Sequence, residues 1–317
     1  MTTGSSFPPD LLDQAPMLAA AGKTVAATPG EAVTALTNAG WLFDVKWDGV
    51  RCLGYVDEKR QVRLRSRDGG DLTARFPDVA AALAALPGST PLVVDGELVC
   101  FDADGRLSFP LTHRRAAQAT PAAIRHAAAT APATLIAFDL LYDGNDFRRR
   151  PLTARLARLG DIAAAGGLVV SPTGLNGPAM LALAEAEHLE GLIAKRPSSR
   201  YTPGRGGHWV KIKFTRSLSA LVVGTEPGKG VRAATFGALH LELTNDDGTP
   251  QPIGKVGSGF TDDMLQLLTE RLRAGGDVIV DVTYQEVSPN GQLRFPVFTA
   301  LRLDLTRADC TTRQLTH

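Results

Sequence analysis

The chain has 317 residues, of which 44% are hydrophobic and 21% charged, and its formal net charge is +1. That length suits two domains. Neither an uninterrupted run of about 18 apolar residues nor a basic leader with an apolar core is present, so no membrane span or signal peptide is expected. Three cysteines, Cys52, Cys100 and Cys310, lie far apart without metal-ligand spacing, which argues for a reducing, cytoplasmic setting and against a disulfide or zinc framework. Heavy use of Ala, Arg and Gly suggests a GC-rich bacterial source. With so small a net charge, any anion-binding surface must be local. One such stretch holds Lys195, Arg196, Arg200, Arg205, Lys211, Lys213 and Arg216 with no Asp or Glu among them.

In chain order, residues 1–15 read as a loose tail of Thr, Gly, Ser and Pro. A helix is expected over 30–39, then short strands over 41–47, 50–56 and 61–65 separated by turn residues. Residues 78–86 are Ala-rich and amphipathic and should be helical. Two apolar runs flank Asp95-Gly96-Glu97, and 134–142 reads as a buried strand. Helices over 152–159 and 178–187 and strands over 191–195 and 209–214 complete the first part. Beyond Thr215 come five short strands, at 218–224, 236–244, 252–256, 278–286 and 298–305, with a helix over 262–274 between the third and fourth. Five strands and one helix fit an OB-type barrel. The expected architecture is α+β: a domain of antiparallel sheets with flanking helices over 16–216, then an OB-fold barrel over 217–317.

The chemistry concentrates in a few segments. In a strand, Asp44, Lys46 and Asp48 share one face with Leu42. Such a lysine is ordinarily a structural ion pair, but the next residues in the chain raise its interest. Gly49 permits a close backbone approach, and Arg51 offers a planar charged fork suited to phosphate or ribose oxygens. A lysine amine attacks only when deprotonated, from a free pKa of about 10.4. Neighbouring carboxylates oppose that loss, so a bound metal is needed to neutralise them. Glu97 and Glu190, each beside a glycine and an apolar run, are hard oxygen donors of the kind that hold Mg²⁺ or Mn²⁺. Phe138 is either core or a stacking platform for a base. Period two puts Trp209, Lys211 and Lys213 on one strand face, and two lysines there call for an anion between or beyond them.

Taken together, these segments resemble the covalent nucleotidyltransferase superfamily, and specifically the ATP-dependent DNA ligases. Lys46-Trp47-Asp48-Gly49-Val50-Arg51 looks like the nucleophile motif. Ser66-Arg67-Asp68-Gly69 looks like the segment whose arginine meets the 5′-phosphate of a nick. Asp95-Gly96-Glu97, Phe138-Asp139, Glu190 to Lys195 and Trp209 to Lys213 resemble the ribose or metal, adenine-stacking, metal-associated and paired-lysine motifs, in family order. Arg75-Phe76-Pro77, Tyr201 to Arg205 and the barrel segments at 254–260 and 294–298 favour the compact bacterial ligases of end joining and repair.

The resemblance implies a covalent lysyl-AMP on Lys46, with Asp48 and Arg302 assisting catalysis. ATP recognition falls to Asp44, Val45, Arg51, Glu97, Phe138, Glu190, Lys211 and Lys213. Glu97 and Glu190 would support Mg²⁺ or Mn²⁺, and Arg67, Arg205 and Lys195 would contact DNA. Nicked duplex DNA is the expected partner, end-joining or repair proteins are further candidates, and a nucleoid-associated monomer is expected. With no helical DNA-binding segment ahead of the catalytic part, weak and salt-sensitive DNA binding is expected. Two departures stand out. Asp44 is one methylene shorter than the glutamate common two residues before the nucleophile. The last motif, Arg302-Leu303-Asp304, continues with Leu305 where the family has lysine, leaving Arg307 as another candidate cation. RNA ligases, capping guanylyltransferases and a non-catalytic nucleic-acid-binding relative share parts of this pattern.

Overall fold

The chain divides into two compact units, Met1–Lys213 and Phe214–His317. The computed structural model describes residues 7–21, 28–187, 189–214 and 216–315. Arg216, expected to close the first domain, opens the first strand of the second unit. No helix among the described residues is long and apolar enough to cross a membrane.

Two five-stranded sheets build the first unit. One has the order β1 (Met17–Ala21), β10 (Gly204–Lys213), β9 (Gly191–Lys195), β2 (Leu42–Val45) and β8 (Thr173–Gly174). The other has the order β4 (Val62–Ser66), β3 (Val50–Val56), β5 (Leu92–Cys100), β6 (Ala133–Asp143) and β7 (Val169–Val170). All ladders are antiparallel except β1 with β10 and β6 with β7. Strand alternation gives the second sheet two different faces. On β5, Leu92, Val94 and Leu98 pack with Val79 and Leu83 of α3 (Pro77–Ala84) and Leu159 of α6 (Leu152–Ala164). Val93 faces the other way, into a cluster with Tyr55, Phe138, Tyr201 and Trp209. Asp95 and Glu97 follow Val93 at spacing two and so stand on the face that looks toward the first sheet.

Several segments depart from expectation. The stretch read as a loose tail lies partly outside the described residues, at 1–6, but residues 7–15 are folded onto the unit. Phe7 meets Tyr55 and Tyr142 edge-on at 5.8 and 5.9 Å. Leu11, in the short helix α1 (Pro9–Leu12), is buried, and its carbonyl accepts from the Tyr55 hydroxyl at 3.1 Å. Arg148 donates to Asp10 at 2.7 Å and to Gln14 at 2.9 Å. One aromatic and two adjacent leucines among polar and proline residues carry little periodicity, which is why composition alone reads as disorder. The helices expected over 30–39 and 178–187 form as α2 (Pro29–Asn38) and α7 (Gly177–Ala186), whereas two others, α4 (Phe109–Ala116) and α5 (Pro121–Thr130), are not marked by periodicity. Each has a Ser or Thr N-cap and a first-turn proline, Ser108 with Pro110 and Thr120 with Pro121.

The second unit is one antiparallel sheet in the order β13 (Pro250–Val256), β12 (Phe236–Thr244), β11 (Arg216–Pro227), β14 (Ile279–Tyr284) and β15 (Val297–Arg302). Helix α8 (Asp262–Ala274) connects β13 to β14 and buries Leu265 and Leu268 in the sheet's core. Thr261 caps its start, acids fill the first turn and arginines the last, and Gly275 ends it at φ 79°. The topology is OB-like, as expected, and the sheet stays open among the described residues. No ladder joins β13 to β15 among the described residues. The connection between β14 and β15, with the first turn of chain into β15, runs along the free edge instead. Leu293 N–H reaches the Ile253 carbonyl and Phe298 N–H the Ser258 carbonyl, both at 2.9 Å. A loop therefore covers much of the strand edge that a ladder would otherwise satisfy.

Arg155 on α6 and Asp139 on β6 form a fully buried pair, with Nε–Oδ1 at 2.6 Å and Nη2–Oδ2 at 2.8 Å. Arg155 Nη1 also donates to the carbonyls of Arg150 and Ser199, each at 2.8 Å. Removing the guanidinium leaves a buried carboxylate uncompensated. Arg155→Ala should cost about 3–5 kcal/mol, read as a lower urea midpoint. A midpoint within error of the parent would disprove this assignment.

Candidate active site

A cavity of about 220 Å³ opens between the two sheets of the first unit. Asp44, Val45 and Lys46 at the end of β2, Arg51 on β3, Glu97 on β5, Phe138 on β6, Lys195 on β9 and Trp209 and Lys211 on β10 all line it, with Leu18 and Ala19 of β1 and the rim residues Arg67 and Arg205. Most of the residues singled out from sequence as site residues therefore meet in one place. Glu190 and Lys213 join it through Lys46, Asp48 stands near enough to Glu97 to act on its charge, and Arg302 belongs to the second unit.

Two glycines make the close approach possible. A Cβ on Gly49 would lie 2.2 Å from the Leu98 carbonyl, so only glycine lets the turn after Lys46 press onto β5. A Cβ on Gly191 would lie 2.1 Å from the Ile212 carbonyl, and its φ of 144° is itself strained for other residues. The Gly191 carbonyl accepts the Lys46 N–H at 2.9 Å, which fixes the lysine backbone just beyond the last residue of β2.

The Lys46 amine pairs with Glu190. Glu190 also takes Lys213 Nζ at 2.5 Å. Burial pushes the Glu190 carboxyl up, but Lys46 and Lys213 outweigh it and hold the group below its ordinary range. Lys211, next on the same strand face, has no carboxylate within ion-pair reach among the described residues. Its own burial and the nearby Lys213, Lys46 and Arg205 lower it. The two strand lysines thus divide: one is neutralised by Glu190, and the other leaves positive charge facing the cavity.

Deeper in, Asp44 is 1% exposed and accepts from Lys195 Nζ at 2.5 Å and from the Ser171 hydroxyl. Ser171 in turn accepts the Trp47 indole N–H at 2.8 Å. Lys195 Nζ also donates to the Phe138 carbonyl at 3.1 Å and lies 4.7 Å from the Phe138 ring centre and 4.6 Å from that of Trp209. Its side chain is only 1% exposed. The expectation that Lys195 contacts DNA is therefore corrected: it is buried and paired inside the cleft, because β9 turns it inward opposite Leu42 and Trp209. Arg67 and Arg205, by contrast, are exposed at the rim.

Arg51 is held bidentately by Asp95, with Nε–Oδ1 at 2.6 Å and Nη2–Oδ2 at 2.7 Å, and Nη2 also donates to the Met17 carbonyl at 3.0 Å. Its Nη1 group has no protein partner among the described residues and remains available to a ligand. The guanidinium sits 4.5 Å from the Phe138 ring centre. Asp95, Ser171 and Tyr201 also take part; the motifs contain Asp95 and Tyr201 but give neither a role, and Ser171 lies outside them. Asp95 was legible as the residue two before Glu97 on an alternating strand; nothing local marks Ser171.

Glu97 has neither a hydrogen bond nor an ion pair to its carboxylate among the described residues. Burial pushes it up to about 7, against the opposing pull of Arg51 and Lys46. A half-buried oxygen donor without an ion-pair partner of its own, with Asp95 and Asp48 near enough to add their charge, fits Mg²⁺ or Mn²⁺. No three acidic, His or Cys side chains gather as a cage among the described residues, so phosphate and water would supply most of the ligands, as is usual for Mg²⁺ at nucleotide sites.

In the second unit, Arg302 pairs with Asp281 at 3.1 Å and Asp304 at 2.6 Å. Leu305 packs against that unit's core, and Arg307 pairs with Asp277 at 3.4 Å.

The cleft thus gathers a lysine amine, paired acids and the uncompensated Lys211 around partly aromatic walls. Residues 16–213 match the family model of the ATP dependent DNA ligase domain. The chain is 31% identical to the multifunctional non-homologous end joining protein LigD of Mycolicibacterium smegmatis, over 93% of this chain and 39% of that protein. It is 36% identical to a probable DNA ligase of Streptomyces coelicolor, over 81% of this chain and 50% of that one. The crystal structure of the ligase domain from M. tuberculosis LigD matches with a TM-score of 0.56 and 30% identity, covering 96% of this chain and 99% of that one. The chain belongs to the ATP-dependent DNA ligase family. It spans half or less of the length of these two curated relatives.

The raised Glu97 carboxyl has a consequence for stability. The unfolded chain releases this proton near pH 4.5, whereas the native state holds it to about 7. The native state thus binds more protons in that window, and this group's contribution falls as pH rises through it. Without divalent metal, the melting temperature should decline from pH 4.5 to 7 more in the parent than in Glu97→Gln. Parallel curves for the two proteins would refute this.

Proposed function

We propose that this chain is an ATP-dependent DNA ligase that seals 5′-phosphate/3′-hydroxyl nicks through a lysyl-AMP on Lys46. The observation that carries the reading is the placement of the Lys46 amine on the same cavity as a buried Asp44–Lys195 pair and the uncompensated Lys211. Each feature meets a different part of ATP.

Asp44 is an acceptor and Lys195 a donor, side by side. Adenine presents the complementary order along its edge, a 6-amino donor next to the N1 acceptor, whereas guanine presents a 6-oxo acceptor next to an N1–H donor. The pair therefore favours ATP over GTP, which speaks against a capping enzyme. Phe138 and Trp209 provide apolar surface for the base, and the free Nη1 of Arg51 reaches toward ribose or phosphate oxygens. Lys211 and Lys213 face the phosphates.

In the first step the Lys46 amine, having lost a proton, attacks the α-phosphorus. The N–P bond forms, the bond from phosphorus to the bridging oxygen breaks, and pyrophosphate leaves with the electron pair. AMP then passes to the 5′-phosphate of the nick, and attack by the 3′-hydroxyl releases it. The protein mainly holds the reactants in line and stabilises developing charge. Glu97 and Glu190 would hold Mg²⁺ or Mn²⁺, with Asp48 beside them, and the ion would neutralise phosphate charge and polarise phosphorus. Arg67 and Arg205 at the rim are placed to meet DNA phosphates. Arg302, released from its two aspartates, would serve the ATP phosphates. The relative named for end joining supports a role in break repair.

Incubation with α-labelled ATP and Mg²⁺ or Mn²⁺ should leave label on the protein through a denaturing gel, and Lys46→Ala should remove it entirely. Addition of nicked duplex DNA should move the label to DNA and then yield sealed product. Label retained by Lys46→Ala, or equal labelling by GTP, would sink the proposal.

A further inference from the structure

Tyr201 lies between β9 and β10 and does not line the cavity, yet its contacts reach residues that do. Its side chain is buried, 5% exposed. Its hydroxyl is 2.6 Å from Asp95 Oδ2 and 3.0 Å from the Met17 amide nitrogen. The proton assignment is unambiguous. The amide can only donate, so the hydroxyl accepts from Met17 and gives its single proton to Asp95. Asp95 grips Arg51, and Arg51 Nη2 returns to the Met17 carbonyl at 3.0 Å. The four residues close a hydrogen-bonded ring. Two of its bonds fall on the two ends of one residue, Met17, at the start of β1, and the next two residues, Leu18 and Ala19, form a wall of the cavity.

We propose that Tyr201 is a positioning residue of the nucleotide pocket: its hydroxyl, through Asp95 and the Met17 backbone, fixes the β1 wall and the Arg51 fork in register with each other. The inference rests on the ATP-dependent reading of the site. Other contacts hold the tyrosine itself firmly. Its amide donates to the Arg148 carbonyl at 2.8 Å, and its ring meets Trp209 edge-on at 6.3 Å. Burial first, and Asp95 next, keep the phenol far above the ordinary tyrosine range, so it remains a neutral donor at every working pH. Phenylalanine would keep the ring and its packing. It would leave the Met17 amide without an acceptor and Asp95 with one donor fewer. The loss then appears as a looser wall and fork, both of which face the nucleotide before and during reaction. Binding should suffer and the chemical step should not.

The test compares the parent with Tyr201→Phe in two measurements. The first is calorimetric binding of α,β-methylene ATP, which cannot undergo the first transfer. The second is the rate of labelling by α-labelled ATP as a function of ATP concentration. The expected result is a Kd and a KM each raised about tenfold, with the labelling rate at saturation within about twofold of the parent. Unchanged Kd and KM in a folded variant overturn the proposal while leaving the ligase reading intact, as does a fall in the saturating rate alone. A parent that binds the analogue about tenfold better than the variant but takes no label supports the positioning role and removes lysyl transfer instead. A parent that fails to bind the analogue removes both. If Tyr201→Phe does not fold by circular dichroism, Asp95→Asn, which keeps the volume and weakens the same ring, should give the same rise in Kd, and its failure to do so overturns the proposal.

Discussion

The half-buried charge of Arg51, paired with the fully buried Asp95, is the constraint around which the first unit is arranged. Taking a guanidinium and a carboxylate out of water costs several kcal/mol per ion, and their attraction repays that only when further hydrogen bonds complete the set. Asp95 accepts from Arg51 Nε, Arg51 Nη2 and the Tyr201 hydroxyl, which comes close to filling its acceptor capacity. The cost is met with residues from three separate parts of the chain: the β1 backbone, the β3–β5 ladder and the segment before β10. This polar tie adds to the apolar cluster of Tyr55, Val93, Phe138 and Trp209 that already joins the two sheets, and the cavity forms beside it. An apolar trio of equal volume would have held the sheets together as well. It would not have presented an Nη1 group and a cation-flanked aromatic ring to the cavity.

A second electrostatic division arises at the cavity mouth. Lys46, Lys211 and Lys213 stand close together, and among the described residues Glu190 is the one carboxylate in ion-pair contact with them. It is shared between Lys46 and Lys213, which leaves the repulsion concentrated on Lys211. Without an anion this arrangement is unfavourable, and a polyphosphate relieves it. Glu97 carries the opposite imbalance, a carboxylate pressed toward protonation by desolvation that Arg51 and Lys46 offset only in part. A site with one unmet positive and one unmet negative demand suits a ligand that arrives as a metal-bound phosphate ester, because the two demands are then satisfied together.

Local chemistry was legible in the sequence; what long-range packing decides was not. Strand alternation was enough to put Trp209, Lys211 and Lys213 on one face, and the β12 and α8 spans come directly from their period. Lys195 shows the limit. Its place in a basic stretch marks it as surface, yet pairing with β2 and β10 turns it inward onto Asp44, a partner 151 positions away in sequence. Ser171 is a further case. It sits between two two-residue strands, with no periodicity to read, and matters only because the fold brings it to Asp44 and Trp47. The N-terminal segment misled through composition: Phe7 and Leu11 are too few to make a pattern but enough to fill one groove.

The two departures from the family pattern find different physical answers. Asp44 lacks one methylene of the usual glutamate. Its carboxylate is met at its own depth by Ser171 on one oxygen and Lys195 on the other, so the shorter acid is fully held and still faces the cavity. Leu305 is not compensated in that way. Its side chain joins the apolar core of the second unit, where an ammonium would have to snorkel out to reach water. The neighbouring cations are already engaged, Arg302 by Asp281 and Asp304 and Arg307 by Asp277. The change at 305 therefore gives the second unit packing in exchange for a free positive charge, and the cations left unpaired for phosphate are those of the first unit, with Lys211 foremost.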